Sequence, residues 1–288
     1  MNDEWSHLLS RRDLLKVGAA GVAAAGLGLQ SARTAEEAAK RKKIPIGLQL
    51  YSVREQCAKD LPPVLEAVGK MGYNGVEFAG YYGREAKALR KLLDDNGLVC
   101  CGTHTALNTV TGDALKATIE FNQILGNRFL IVPSMPRERM ASREALLETA
   151  KMFNELADKV RAEKMRIGYH AHGGDFSKIE GETAWDIFFG QCKPQVVMQL
   201  DTGNCMDGGG DPVAALKKFP GRATTIHLKE HGGAADAVIG EGDVKWKEIF
   251  ELCEAGGTRW YIVEHERKSA DPVAEVKRCL EGLRKMGK

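Results

Sequence analysis

One alternation runs the length of the chain from residue 46 and constrains its fold more than anything else. Short apolar, β-rich runs are each followed by a stretch with helical spacing. The short runs are "IGLQL" (46–50), "GVEFA" (75–79), "LVCCGTH" (98–104), "FLIVPS" (129–134), "RIGYHAH" (166–172), "VVMQLD" (196–201), "TTIHLK" (224–229) and "WYIVEHE" (260–266). Between them lie helix candidates such as 61–72, 84–97, 142–164, 211–219 and 271–287, and three of these stop at Gly72, Gly97 and Gly287. Near-continuous apolar strands are buried on both faces, and parallel strands need crossovers of this length. Eight such units within residues 42–288, a span suited to one domain, predict an α/β fold of the closed (β/α)8 TIM-barrel type. No Gly-x-Gly-x-x-Gly follows the first strand, which argues against an open dinucleotide-binding sheet.

Residues 1–41 stand apart. "SRRDLLKVGAAGVAAAGLGLQSARTA" (10–35) sets Arg11 and Arg12 before an uncharged run from Val17 to Leu29. As a helix that run is about 20 Å long, short of a ~30 Å hydrocarbon core. It reads as a twin-arginine signal peptide with cleavage near Ala32 or Ala35, which implies an exported, periplasmic protein with no stable membrane insertion after signal removal. Charged residues at 28% and a net charge of +2, with no basic block, give no reason to expect nucleic acid or an acidic membrane surface as partner. Seven cysteines without a Cys-x-x-Cys spacing indicate neither a disulfide framework nor a zinc ribbon, so they are expected as small buried side chains. A route that exports folded proteins is consistent with buried free thiols.

In a barrel of this kind chemistry sits at the C-terminal ends of the strands. Those ends are unusually polar: Tyr51, Glu77, His104, His170 and His172, Asp201, His227 and Lys229, Glu264 and Glu266. Strands built from Ile, Val and Leu have no packing reason to carry so many ionisable groups, and burying them unpaired costs several kcal/mol each, of order ~2–7 for a polar group. A divalent cation such as Mn, Zn, Co or Mg answers the problem. Asp201, His227 and Glu264 lie on consecutive strands, and His170 is placed to be the fourth ligand. His172 has the parity of His170 along a strand, so it is open to roles as second ligand, supporting donor, substrate contact or cap. Lys229 shares a face with His227 and is either a holder of substrate oxygens or a surface lysine. Tyr51, Glu77 and His104 are expected at the substrate.

The segments "IGLQLYSVRE", "GYNGVEFAG", "YHAHGGDF", "QLDTGN", "IHLKE", "GEGDVKW" and "YIVEHE" occur in an order that resembles the xylose isomerase-like TIM barrels, and within them the sugar phosphate isomerase/epimerase family, over residues 45–285. The resemblance implies a metal held by Asp201, His227 and Glu264 together with a strand-5 residue. That residue is commonly Glu within Glu-Asn-His, where this chain has His170-Ala171-His172. It also implies a metal-dependent isomerase or epimerase that removes a proton beside the carbonyl of a sugar or keto-sugar. Glu264 would be ligand and base, with His172 and Lys229 as acid/base or oxyanion aids. With one of the two usual carboxylate bases replaced, a lyase or dehydratase on a 3-keto-glycoside or inosose-like compound is the alternative. A non-catalytic sugar-binding barrel is the third reading. "DGGGDP" (207–212) is expected as a weak anion cradle, and a homo-oligomer is compatible with the sequence.

Overall fold

The structure is a computed structural model and describes residues 43–288; the expected signal segment lies outside them. All eight apolar runs form strands: β1 (Ile46–Gln49), β2 (Gly75–Phe78), β3 (Val99–His104), β4 (Phe129–Val132), β5 (Arg166–His170), β6 (Val197–Gln199), β7 (Thr225–Leu228) and β8 (Trp260–Val263). They make one eight-stranded parallel sheet in the order β6-β5-β4-β3-β2-β1-β8-β7. Its two ends meet through a single bridge, Asp201 with His227, where the His227 N–H donates to Leu200 O at 2.9 Å. The predicted (β/α)8 barrel is therefore the observed one.

The outward strand faces pack on the helices. Helix Leu61–Met71 starts with proline in its first turn and ends at Gly72, whose φ of 93° is the left-handed cap that glycine adopts without strain. Leu61, Val64, Leu65 and Val68, one stripe of that helix, are buried, each worth about 1.5–3 kcal/mol over exposure. Leu65→Ala would remove part of that stripe at a cost of ~2–5 kcal/mol. Helix Arg143–Ala162 begins where Ser142 Oγ accepts the Ala145 N–H, and buries Leu146, Ala150, Phe153, Ala157 and Val160. Among the described residues no helix is long and apolar enough to cross a membrane. All seven cysteines are free and buried, as expected.

Inside the barrel the layers change character along the strands. Phe129, Ile131 and Val197 form a separate apolar cluster with Trp260 packed on it. Above it, toward the C-terminal strand ends, the interior is polar, with Gln49, Glu77, His170, Gln199, Asp201 and His227 all buried. Room for the first of these carboxylates comes from β3. An extra residue there shifts the register between Val76 and Glu77 so that Gly102 lies opposite Glu77, and any side chain on Gly102 would collide with the Glu77 carboxylate.

The loop after β7, which contains "GEGDVKW", folds around Glu230. This buried carboxylate accepts N–H groups from His231 (3.0 Å), Gly240 (2.7 Å), Val244 (3.3 Å) and Trp246 Nε1 (2.9 Å). A Cβ on Gly242 would stand 2.7 Å from Glu230 Oε1, so the tight turn needs glycine there. The glycines of 207–212 behave otherwise than expected. The Gly208, Gly209 and Gly210 amides donate to Asn204 O, Met206 O and Cys205 O, and none is left to cradle an anion.

Candidate metal centre and active site

Four strand ends converge on one point. β5 ends in His170, Asp201 follows β6, His227 lies within β7, and Glu264 follows β8. One ligand atom from each of His170, Asp201, His227 and Glu264 can be chosen so that the set lies within 4.8 Å, and all four residues are buried. His227 Nδ1 contacts Glu264 Oε2 directly and stands 3.8 Å from Asp201 Oδ2, while His170 Nε2 is 3.9 Å from Glu264 Oε2.

Asp201 decides whether a cation fits. Its Oδ1 accepts the Asn204 N–H at 2.7 Å and caps helix Thr202–Asp207, but its Oδ2 is buried with no hydrogen-bond partner. A buried carboxylate oxygen without a partner costs about 1–3 kcal/mol or more. Burial and the neighbouring Glu264 carboxylate raise the Asp201 pKa, and Lys229 and His227 offset this only in part. For Glu264 burial acts upward, but the His227 ring outweighs it and the carboxyl is lowered. Glu264 takes His227 Nδ1 and Glu77 takes Nε2, which leaves Asp201 Oδ2 as the carboxylate oxygen of the cluster without a partner. Burial and the surrounding His227, His104 and His172 rings push His170 well below the ordinary histidine value, so it is the neutral imidazole that binds metals. Two imidazoles and two carboxylates around one unpartnered oxygen fit a borderline divalent cation.

The remaining expected residues divide. Glu77 points into the barrel interior against the histidine rings. It is fully buried, its Oε2 faces His227 Nε2 (2.6 Å), Gln49 Nε2 (2.8 Å) and His104 Nε2 (3.1 Å), and its Oε1 accepts from Gln199 Nε2 (2.9 Å). Burial favours its neutral form, but His104 and His227 outweigh this and hold it well below the usual carboxylate range. His104 is brought into the cluster, with its ring stacked on His227 at a centroid distance of 5.4 Å. Tyr51 is not; it is 42% exposed on the rim with the Arg54 guanidinium 4.4 Å above its ring.

β5 ends two residues earlier than expected. His172 is exposed, and its backbone N–H donates to Asp175 Oδ2 at 2.8 Å at the head of a 3₁₀ turn, Gly173–Phe176. Strand parity still holds locally, because the His172 ring stands 4.9 Å from that of His170. Lys229 is no free surface lysine: Nζ donates to Asn204 Oδ1 at 2.9 Å and to Glu266 Oε2. Burial disfavours its charge, yet Asp201, Glu264 and Glu266 more than compensate and keep it an ammonium. Sequence reasoning missed Gln199, a neutral amide in an apolar strand that binds Glu77, Thr225, His104 and His170 at once.

A (β/α)8 barrel that gathers two imidazoles, two carboxylates and an ammonium at its strand ends has the architecture of a small-molecule enzyme scaffold, with a candidate cation site at the mouth. The chain belongs to the xylose isomerase-like TIM barrel family, whose profile matches residues 65–286. It is similar to an inosose dehydratase of Geobacillus thermodenitrificans, 25% identical over 256 residues that span 75% of this chain and 83% of that protein. It is similar to the solved structure of a sugar phosphate isomerase/epimerase from Parabacteroides distasonis, with 27% identity and a TM-score of 0.74 over 84% of this chain and 98% of that one. Its fold also matches the IolI protein solved with a zinc atom, with a TM-score of 0.64 at 14% identity over 82% of this chain and 96% of that one.

Proposed function

We propose that this chain is a metal-dependent dehydratase acting on a neutral cyclic keto-polyol of the inosose type. The observation that carries the reading is the pairing of one carboxylate, Glu264, with an imidazole, His170, and a fixed ammonium, Lys229, at the same mouth. Inverting a carbon beside a carbonyl needs two bases on opposite faces of the enolate; eliminating water needs one base and one acid. The likeness to an inosose dehydratase supports the same reading.

A divalent cation held by His170, Asp201, His227 and Glu264 would supply Lewis-acid polarisation of a substrate carbonyl, which acidifies the adjacent C–H. Glu264 then takes the proton from that carbon, the C–H electron pair forms the enolate, and expulsion of the β-hydroxyl breaks the C–O bond. Lys229 gives the departing oxygen its proton, so water leaves and a conjugated ketone remains. Glu266 beside Lys229 returns the proton from solvent. Asn204 positions the ammonium, donating its own amide to Ala171 O at 3.0 Å.

The test is incubation of cation-loaded protein with an inosose in D2O, followed by NMR and by absorbance of the conjugated product. Deuterium uptake beside the carbonyl with loss of water is the expected result. Uptake without elimination supports an isomerase or epimerase, a reading favoured by His172 at the mouth and by the likeness to the Parabacteroides protein. Neither event leaves a sugar-binding barrel. Export belongs to the same proposal, on the strength of Arg11, Arg12 and the run Val17–Leu29. An Arg11→Lys, Arg12→Lys double variant retained in the cytoplasm supports the twin-arginine route and its unchanged periplasmic recovery refutes that route, while wild type found only in the cytoplasm refutes export.

A further inference from the structure

Gln199 sits at the centre of the polar layer with no exposed surface, and both ends of its amide are used. Nε2 donates to Glu77 Oε1 at 2.9 Å and to Thr225 Oγ1 at 3.1 Å, while Oε1 is 3.1 Å from both His104 Nε2 and His170 Nδ1. The neighbours fix which way an amide faces. A carboxylate only accepts, so the NH2 group must face Glu77 and the oxygen must face the two rings. His170 Nδ1 is then the donating nitrogen, and Nε2, 3.9 Å from Glu264 Oε2, is turned bare into the ligand cluster.

Glu77 does the same for His227. Its Oε2 takes the Nε2–H at 2.6 Å, and the opposite nitrogen, Nδ1, faces Glu264 and Asp201. The two histidines thus present unlike nitrogens, and one hydrogen-bonded pair of residues, 122 positions apart in sequence, keys both.

We propose that Glu77 and Gln199 are the positioning residues of the metal centre, setting Nε2 of His170 and Nδ1 of His227 as the nitrogens that meet the ion. This rests on the metal reading above. Partners of this kind orient ligating imidazoles, and their loss typically weakens metal affinity about 10–100-fold.

The experiment is zinc titration of chelator-stripped protein together with ¹⁵N-histidine NMR of the zinc-loaded form. Wild type, Glu77→Gln, Gln199→Leu and Thr225→Val are compared, each with its metal-free melting temperature. Wild type should show zinc at His170 Nε2 and His227 Nδ1. Glu77→Gln and Gln199→Leu should bind zinc roughly 10–100-fold more weakly, with a changed ¹⁵N pattern. Thr225→Val removes a hydrogen bond from the same network without touching a ring, so it should lose stability and keep its zinc affinity.

Affinity that falls in Thr225→Val as far as in the other variants means the network is only structural. Wild-type zinc on the opposite nitrogens, or unchanged affinity in folded Glu77→Gln, also overturns the assignment while leaving the metal reading intact. Should Gln199→Leu fail to fold, the near-isosteric Glu77→Gln decides. A wild type that takes up no zinc removes the metal reading itself.

Discussion

Asp201→Asn should make the metal-free protein more stable while destroying its response to metal. The asparagine Oδ1 still accepts the Asn204 N–H and still caps helix Thr202–Asp207, a position where Asn and Asp serve equally. The other oxygen, buried without a partner and set against Glu264, becomes an amide that can donate to that carboxylate. Relieving a buried, unsatisfied polar group is worth about 1–3 kcal/mol, and in a domain of this size each kcal/mol moves the melting temperature by about 2–4 °C.

The pH dependence has a definite sign. Burial raises the native Asp201 pKa above its unfolded value of about 3.9, so the native state holds that proton more tightly. Wild-type stability therefore falls as pH rises from there toward the raised native value. The asparagine variant lacks this loss, and its advantage should widen with pH. In a cation at a thousand times its dissociation constant the order reverses, because binding adds about 4.1 kcal/mol to the wild type alone. Calorimetry of stripped and zinc-loaded protein between pH 5 and 8 reads all of this. If metal-free Asp201→Asn melts below wild type, or if both proteins gain equally from zinc, Asp201 is not a ligand waiting for a cation.

Glu264→Gln should lower deuterium uptake beside the carbonyl of an inosose by about 10²–10⁴-fold, measured by NMR on zinc-saturated protein. Lys229→Met should separate the two halves of the reaction, with uptake continuing and water loss falling by about 10²–10⁴-fold; equal loss of both would place Lys229 at the proton-abstraction step instead. Glu230→Gln, which offers a single carbonyl oxygen where two carboxylate oxygens accept four N–H groups, should cost ~1–3 kcal/mol and bring earlier proteolysis within residues 232–245. An unchanged melting temperature and cleavage pattern would show that the loop is held by other contacts.

Most of the barrel was legible because the signal is repeated: the strands open as short apolar runs, and helices such as Leu61–Met71 and Arg143–Ala162 show one apolar stripe each. The convergence of His170, Asp201, His227 and Glu264 was legible for a related reason, since ionisable residues at the ends of apolar strands have few places to go but one another. What failed to show was depth. Glu77 reads like the other strand-end acids, yet the extra residue in β3 and the bare backbone of Gly102 let its carboxylate lie beneath the histidines. Gln199 carries no charge and interrupts no pattern, and its partners come from four other strands. Strand 5 was read through His172 because "HAH" keeps the alternation, whereas the Asp175 carboxylate draws the following glycines into a turn. The "DGGGDP" glycines looked available because composition does not show where their amides point.

The barrel has one weak stave. β6 and β7 are joined by a single bridge, while the other neighbouring strands pair over two to four residues, and the bridged residues, Asp201 and His227, are both candidate ligands. An ion seated between them, as the metal reading proposes, would fasten the hoop at its weakest join. Amide exchange along 198–201 and 225–228 should then slow on metal binding far more than exchange in β1 or β2. On the proposed reading, the closure of the cylinder and its chemistry would share the same bonds, so a descendant that relaxes its grip on the metal should inherit a leakier barrel as well as a slower enzyme.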